Sequence, residues 1–188
     1  EDRFREQWDE IDEINARFDG FRVLKGIEVD IMVGGGFDFS ESFLSKFDLV
    51  VASIHSGFSM SKGEATQRIV DAVQSPHVDI LGHPTGRLLL SRDGYSFDIR
   101  AVCEAAASSA TAIELNAHPR RLDLDWRDLR LAKQCGAKVS INTDAHSIEG
   151  LADMVYGVGI ARKAGLESGD IINTMTVDAL MDWTSGGA

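Results

Sequence analysis

The chain has 188 residues, 44% of them apolar and 26% charged, and a formal net charge of −11. That suffices for one domain with a core. It argues against a general electrostatic grip on nucleic acid, though not against an acidic domain that handles a phosphodiester through bound cations. No apolar run approaches the roughly 20 residues that cross a bilayer. The acidic, amphipathic start is no secretory leader, so a cytoplasmic location and no membrane partner are expected.

Phe4, Trp8, Ile11, Ile14 and Phe18 recur at helical spacing and predict a helix over 3–18. The chain has no initiator Met and starts inside this helix, which suggests a piece of something longer. FRVLKGIEVDIMV (21–33) reads as a strand, broken by the glycines at 34–36. A short helix near 40–46 and the strand DLVVASIHS follow. Ser61 and Glu64 have the spacing of a capping box for a helix over 62–75, stopped by Pro76. HVDILGHP is the next strand, DIRAVCEAAASSA a helix, TAIELNAHP a strand and WRDLRLAKQCG a helix ended by Gly136. AKVSINTDAH is the last strand. A helix over 148–164 ends at Gly165, and two short ones near 168–172 and 176–183 close the chain. Cys103 and Cys135 fall in helices and read as small thiols in a reducing compartment; two cysteines cannot build a paired-Cys zinc site. Strand and helix alternate through five strands, so an α/β fold with a parallel sheet and outer helices is expected.

The strand ends carry the chemistry. Glu28 and Asp30, then Ser53 and His55, His83, then Glu114, Asn116 and His118, and Asp144 and His146 stand at or just past the C-terminal ends of successive strands. Parallel α/β sheets bind ligands there. Asp144 and His146, two apart, are expected to leave the strand tip side by side. Imidazole and carboxylate together suit a divalent cation. Arg87 and Arg121, in the loops beyond, could hold a phosphate. A nucleophilic triad competes, but no G-x-S-x-G elbow occurs. The glycines at 34–36 lack a dinucleotide-binding spacing.

Six stretches resemble the PHP (polymerase and histidinol phosphatase) family, in particular the PHP domain at the C-terminus of bacterial family X DNA polymerases. They are GIEVDI (26–31), VVASIHSGF (50–58), VDILGHPTGRLLL (78–90), AIELNAHPRRLDL (112–124), INTDAH (141–146) and YGVGIARKAGL (156–166). The resemblance implies a distorted seven-stranded TIM-like (β/α) barrel holding up to three divalent ions, manganese or zinc. Glu28 would bridge two ions, His55 and His83 complete one, Asp144 belong to the second and His146 to the third. Glu28, His55, Asp144, Arg87 and Arg121 are the candidate catalytic residues. The implied activity is phosphoester hydrolysis: 3′–5′ exonuclease at a DNA 3′ end, with a polymerase domain upstream in the same chain. A phosphatase for a small monoester such as histidinol phosphate, or a catalytically incomplete structural module, is the alternative. His118 stands where the polymerase branch is expected to have Asn. The family's opening His-x-His pair, its next His and its Thr-Asp-His segment do not occur here. A single PHP domain over 1–188 is therefore expected, truncated to about five strands, with fewer than three ions. Its open sheet edges and inner face would drive self-association or be covered by another segment.

Overall fold

The computed structural model describes residues 2–184. In chain order the elements are α1 (Asp2–Asn15), β1 (Gly26–Asp30), α2 (Glu41–Leu44), β2 (Leu49–Ser53), α3 (Lys62–Val73), β3 (Ile80–Leu81), α4 (Ile99–Ser108), β4 (Ala112–Asn116), α5 (Trp126–Cys135) and β5 (Val139–Asn142). A 3₁₀ turn (Glu149–Asp153) leads into α6 (Met154–Ala164). Two more 3₁₀ turns (Ser168–Asp170, Ile172–Thr174) precede α7 (Val177–Thr184). All five strands are parallel and pair in sequence order, with β1 and β5 at the edges. Helices α3, α4, α5 and α6 stand side by side in the same order. The fold is an open, five-stranded segment of a TIM-like barrel.

Local signals set several boundaries. Ser61 and Glu64 form the reciprocal capping box, and Asp98 and Asp125 cap α4 and α5; each such cap stabilises its helix by about 1 kcal/mol. Gly136 and Gly165, both in the left-handed region, end α5 and α6. α1 is shorter than its apolar spacing predicts: it stops at Asn15, whose side-chain amide pairs with the backbone N–H and C=O of Val23. Phe18 is left 59% exposed. The 21–33 strand shrinks to Gly26–Asp30 because the glycines fold Ile31 back onto Phe37 as a bridge. β3 has only two residues, since His83 has left-handed φ and turns the chain away from the sheet.

Alternation sorts each strand into an outer and an inner face. On β1, Ile27 and Val29 are buried under the helices while Glu28 and Asp30 take the other face. The outer face holds the main clusters, with Ile69, Val73 and Val102 under one half and Leu115, Leu129 and Val139 under the other. Each fully buried Ile or Leu contributes about 1.5–3 kcal/mol. The inner face is apolar low down, where Leu49, Val51, Ile80 and Ala112 meet Ile172, Met175, Leu180 and Trp183 of the C-terminal segment. The inner apolar face is thus covered from within the chain. Asn173 seals the β5 edge there, accepting from Ile141 N at 2.7 Å and donating to Ile141 O at 2.9 Å. Higher up, the same face turns polar. Cys103 is buried in the outer core, its thiol pushed up to about 12 by burial. No helix among the described residues is long and apolar enough to cross a membrane.

Candidate metal centre

Three side chains from three strand ends converge at the polar end of the inner face. Glu28, His55 and His83 each offer one ligand atom, and these atoms lie within 4.8 Å of one another. Glu28 Oε1 is 3.1 Å from His83 Nε2 and 3.4 Å from His55 Nε2. Ser53 Oγ donates to the same oxygen at 2.6 Å. The two imidazoles meet edge to face, centroids 5.1 Å apart. Glu28 and His55 are half exposed, whereas His83 is buried. Two imidazole nitrogens and a carboxylate, open to solvent on one side, make a donor set that suits zinc or manganese with positions left for water and substrate.

Behind His55, Asp30 takes Nδ1 in a short hydrogen bond, which leaves Nε2 facing Glu28. A carboxylate in that position fixes the ring's orientation and raises its basicity. The bond to Glu28 raises the His55 pKa, burial opposes it, and Asp30 adds to the rise, so the group is pushed up to about 9. Burial pushes Glu28 upward, yet hydrogen bonds with His55, His83 and Ser53 together hold it well below the usual carboxylate range.

The remaining expected residues divide. Asp144 lines a cavity of about 290 Å³ with Glu28, His83, Glu114 and Asn142, above Ile172 and Leu180. Its carboxylate accepts from Asn116 Nδ2 at 3.1 Å and pairs with Arg121 Nε at 3.1 Å. Arg121 Nη1 is buried without a hydrogen-bond partner among the described residues. His146 stands apart from this set: its side chain is 85% exposed, and Nδ1 donates to the Asp144 carbonyl at 2.7 Å. The alternation expected to place the pair does not reach them, because β5 ends at Asn142 and Asp144 has a left-handed φ of 51°. Arg87 is turned inward, donating to the carbonyls of Arg121 (2.9 Å) and Leu122 and lying 3.8 Å from Asp125. His118, in the loop after β4, donates its N–H to Asn116 Oδ1 and accepts at Nδ1 from Arg120 N.

Two further groups shape the site. Glu114 is buried and accepts from His83 N (2.5 Å), Asn142 (2.8 Å) and Asn116 (3.2 Å); burial raises its pKa against those bonds. Arg68, on α3, donates to the carbonyls of Ser56 (3.0 Å) and Ile31, the residues that follow His55 and Asp30. Asp30 had a sequence signal, since it shares the Glu28 face by alternation. Arg68 had none, because its partners are backbone carbonyls far away in sequence.

Comparison with known proteins adds to this geometry. No family model matches the chain. Its relatives by pairwise similarity are consistent with a PHP domain. Over 176 residues it is 44% identical to the DNA polymerase/3′-5′ exonuclease PolX of Bacillus subtilis, covering 94% of this chain and 31% of that protein. A protein of Thermoanaerobacter sp. strain X514 named as a probable phosphatase is 29% identical over 168 residues, 84% of this chain and 66% of its own length. The chain thus spans about a third of the polymerase relative and just under two thirds of the phosphatase. The crystal structure of histidinol phosphate phosphatase from Lactococcus lactis, complexed with zinc, L-histidinol and phosphate, superposes with a TM-score of 0.60 at 19% identity, over 87% of this chain and 74% of that one. At that identity the likeness concerns the fold.

Proposed function

We propose that this chain is a metal-dependent phosphoesterase domain that removes nucleotides from a DNA 3′ end, working in a cytoplasmic protein alongside a polymerase domain in the same chain. The observation that carries the reading is the meeting of Glu28, His55 and His83 at one point on the rim of the sheet. The identity with a polymerase/3′-5′ exonuclease supports the substrate class. Glu28, His55 and His83 would hold one divalent cation, manganese or zinc, zinc being the ion in the Lactococcus lactis structure. Bound there, the ion supplies Lewis-acid activation of water and of a phosphoryl oxygen. Asp30 holds the His55 ring so that Nε2 faces inward. Asp144 lines the cavity and pairs with Arg121, whose buried Nη1, without a partner among the described residues, would offer an N–H to a phosphate oxygen. Arg87 braces the Arg121 backbone. His146, exposed beside Asp144, would join only a further cation. Self-association through the β1 edge of the sheet belongs to the same reading.

A small phosphomonoester is the second reading. It is favoured by the modest cavity, about 290 Å³, and by the net charge of −11. The test is hydrolysis of a 5′-labelled single-stranded oligonucleotide against p-nitrophenyl phosphate by the full-length protein with Mn²⁺. Stepwise shortening from the 3′ end, lost at least about a hundredfold in Glu28→Gln and His83→Ala, is expected. Hydrolysis of the ester alone selects the second reading, and activity that survives both substitutions overturns the metal centre.

A further inference from the structure

Two loops on the active end of the sheet are joined into one frame. The 86–94 loop follows β3, and within it Leu88 and Arg92 exchange backbone hydrogen bonds of 2.8 Å each way. The Arg92 guanidinium donates to Gly86 O at 2.6 and 3.1 Å and lies 4.4 Å over the Phe58 ring. The 117–125 loop follows β4 and is tied to the first, since Leu89 N donates to Arg120 O at 2.7 Å. This braced frame presents an apolar tip. Leu90 is fully exposed with φ 63°, and Leu89 beside it is 40% exposed. A leucine in the left-handed region costs about 1 kcal/mol or more, and full exposure leaves no core packing to offset it. Arg120, also exposed, makes no side-chain hydrogen bond or ion pair among the described residues. The next residue, Arg121, is the one that pairs with Asp144 in the cavity.

We propose that the 86–94 tip and Arg120 together hold a single nucleic-acid strand as its end enters the cavity, Leu90 lying against a base and Arg120 on a backbone phosphate. The proposal rests on the phosphoesterase reading and adds how the site distinguishes a polynucleotide from a small ester. A strand alternates apolar base faces with anionic phosphates, and an exposed apolar wedge beside an unpaired guanidinium matches both. In a chain of net charge −11 such a grip must be local rather than a broad field. On this proposal a small monoester is held in the cavity alone.

The experiment compares Leu90→Ser, Arg120→Gln and the double variant with the parent, all as full-length Mn²⁺-loaded protein, on a single-stranded oligonucleotide and on p-nitrophenyl phosphate. The double variant is expected to lose about tenfold in kcat/KM on the oligonucleotide, mostly through KM, and nothing on the ester. Arg120→Gln is expected to flatten the salt dependence of oligonucleotide turnover by about 0.7 in log–log slope. Unchanged oligonucleotide kinetics overturn the proposal, and if thermal stability falls instead, the tip is a contact with another part of the protein. Equal losses on both substrates also overturn it, because the loop would then only shape the cavity. A parent that cleaves the ester but not the oligonucleotide sinks this proposal and leaves the phosphoesterase reading standing. A parent that cleaves neither removes the reading itself.

Discussion

Asp30 controls the centre without being one of the three convergent ligands. It holds His55 through Nδ1, so the ring can turn neither its tautomer nor its face without breaking that bond. Asp30→Asn keeps the shape but replaces an anionic acceptor by a neutral amide. The expected outcome is a Mn²⁺ affinity lower by about 10–100-fold with little change in the fold, measured by calorimetric titration. The same measurement has a pH dependence of known sign. Without a cation the hydrogen bond to Glu28 pushes His55 up to about 9, so the ring carries a proton at neutral pH. That interaction stabilises the metal-free chain fully below the ordinary histidine value of 6.5 and fades as pH rises through 9. A cation must displace this proton, so affinity should climb by up to about tenfold per pH unit between pH 7 and 9. A flat profile would show that His55 is not a ligand.

Among the elements, α3 is the one whose role lay hidden. Its capping box was legible in the spacing of Ser61 and Glu64, because that signal is local. Its inward face buries Ile69, Ala72 and Val73. Arg68, on the same face, is 8% exposed and bonded to carbonyls beyond β1 and β2, a role that no sequence motif marks. Gly57 makes room for it: a Cβ there would lie 3.2 Å from Arg68 Nη1 and 2.7 Å from Val33. α3 thus holds the strand ends that carry Asp30 and His55 at a fixed separation. Arg68→Met leaves the Ile31 and Ser56 carbonyls without this donor, and the loss at the buried Ile31 carbonyl costs about 1–3 kcal/mol. Arg68→Lys can reach one of them. The expected order of Mn²⁺ affinity is parent, Lys, Met, with stability to urea falling in the same order. Parent-like affinity in a destabilised Met variant would limit Arg68 to a role in the fold.

For the whole molecule, alternation of helix and strand made the parallel sheet and its outer helices legible, and the motifs at strand ends marked the rim. Which strands alternate and which are buried on both faces was not legible, because it depends on what covers the inner face. Here that cover is the C-terminal segment, whose short helices carry no motif that announces a destination inside the sheet. Ile172, Leu180 and Trp183 lie on Leu49, Val51 and Ile80, and Ile172, Asn173 and Leu180 line the cavity below Glu28 and Asp144. The floor of the site and the seal of the inner face are therefore one structure. Replacing Leu180 and Trp183 together by Ala removes half-buried apolar contacts at a cost of about 2 kcal/mol, below the figure for fully buried side chains. It also opens the inner face to water. The double variant is expected to bind a hydrophobic dye and to associate with itself as concentration rises, read by light scattering behind size exclusion, while the parent does so less. It is further expected to weaken catalysis through the loosened cavity floor more than Mn²⁺ binding, since Glu28, His55 and His83 are anchored from the strands. A double variant that stays dye-negative and associates no more than its parent would mean that the C-terminal segment does not seal the sheet.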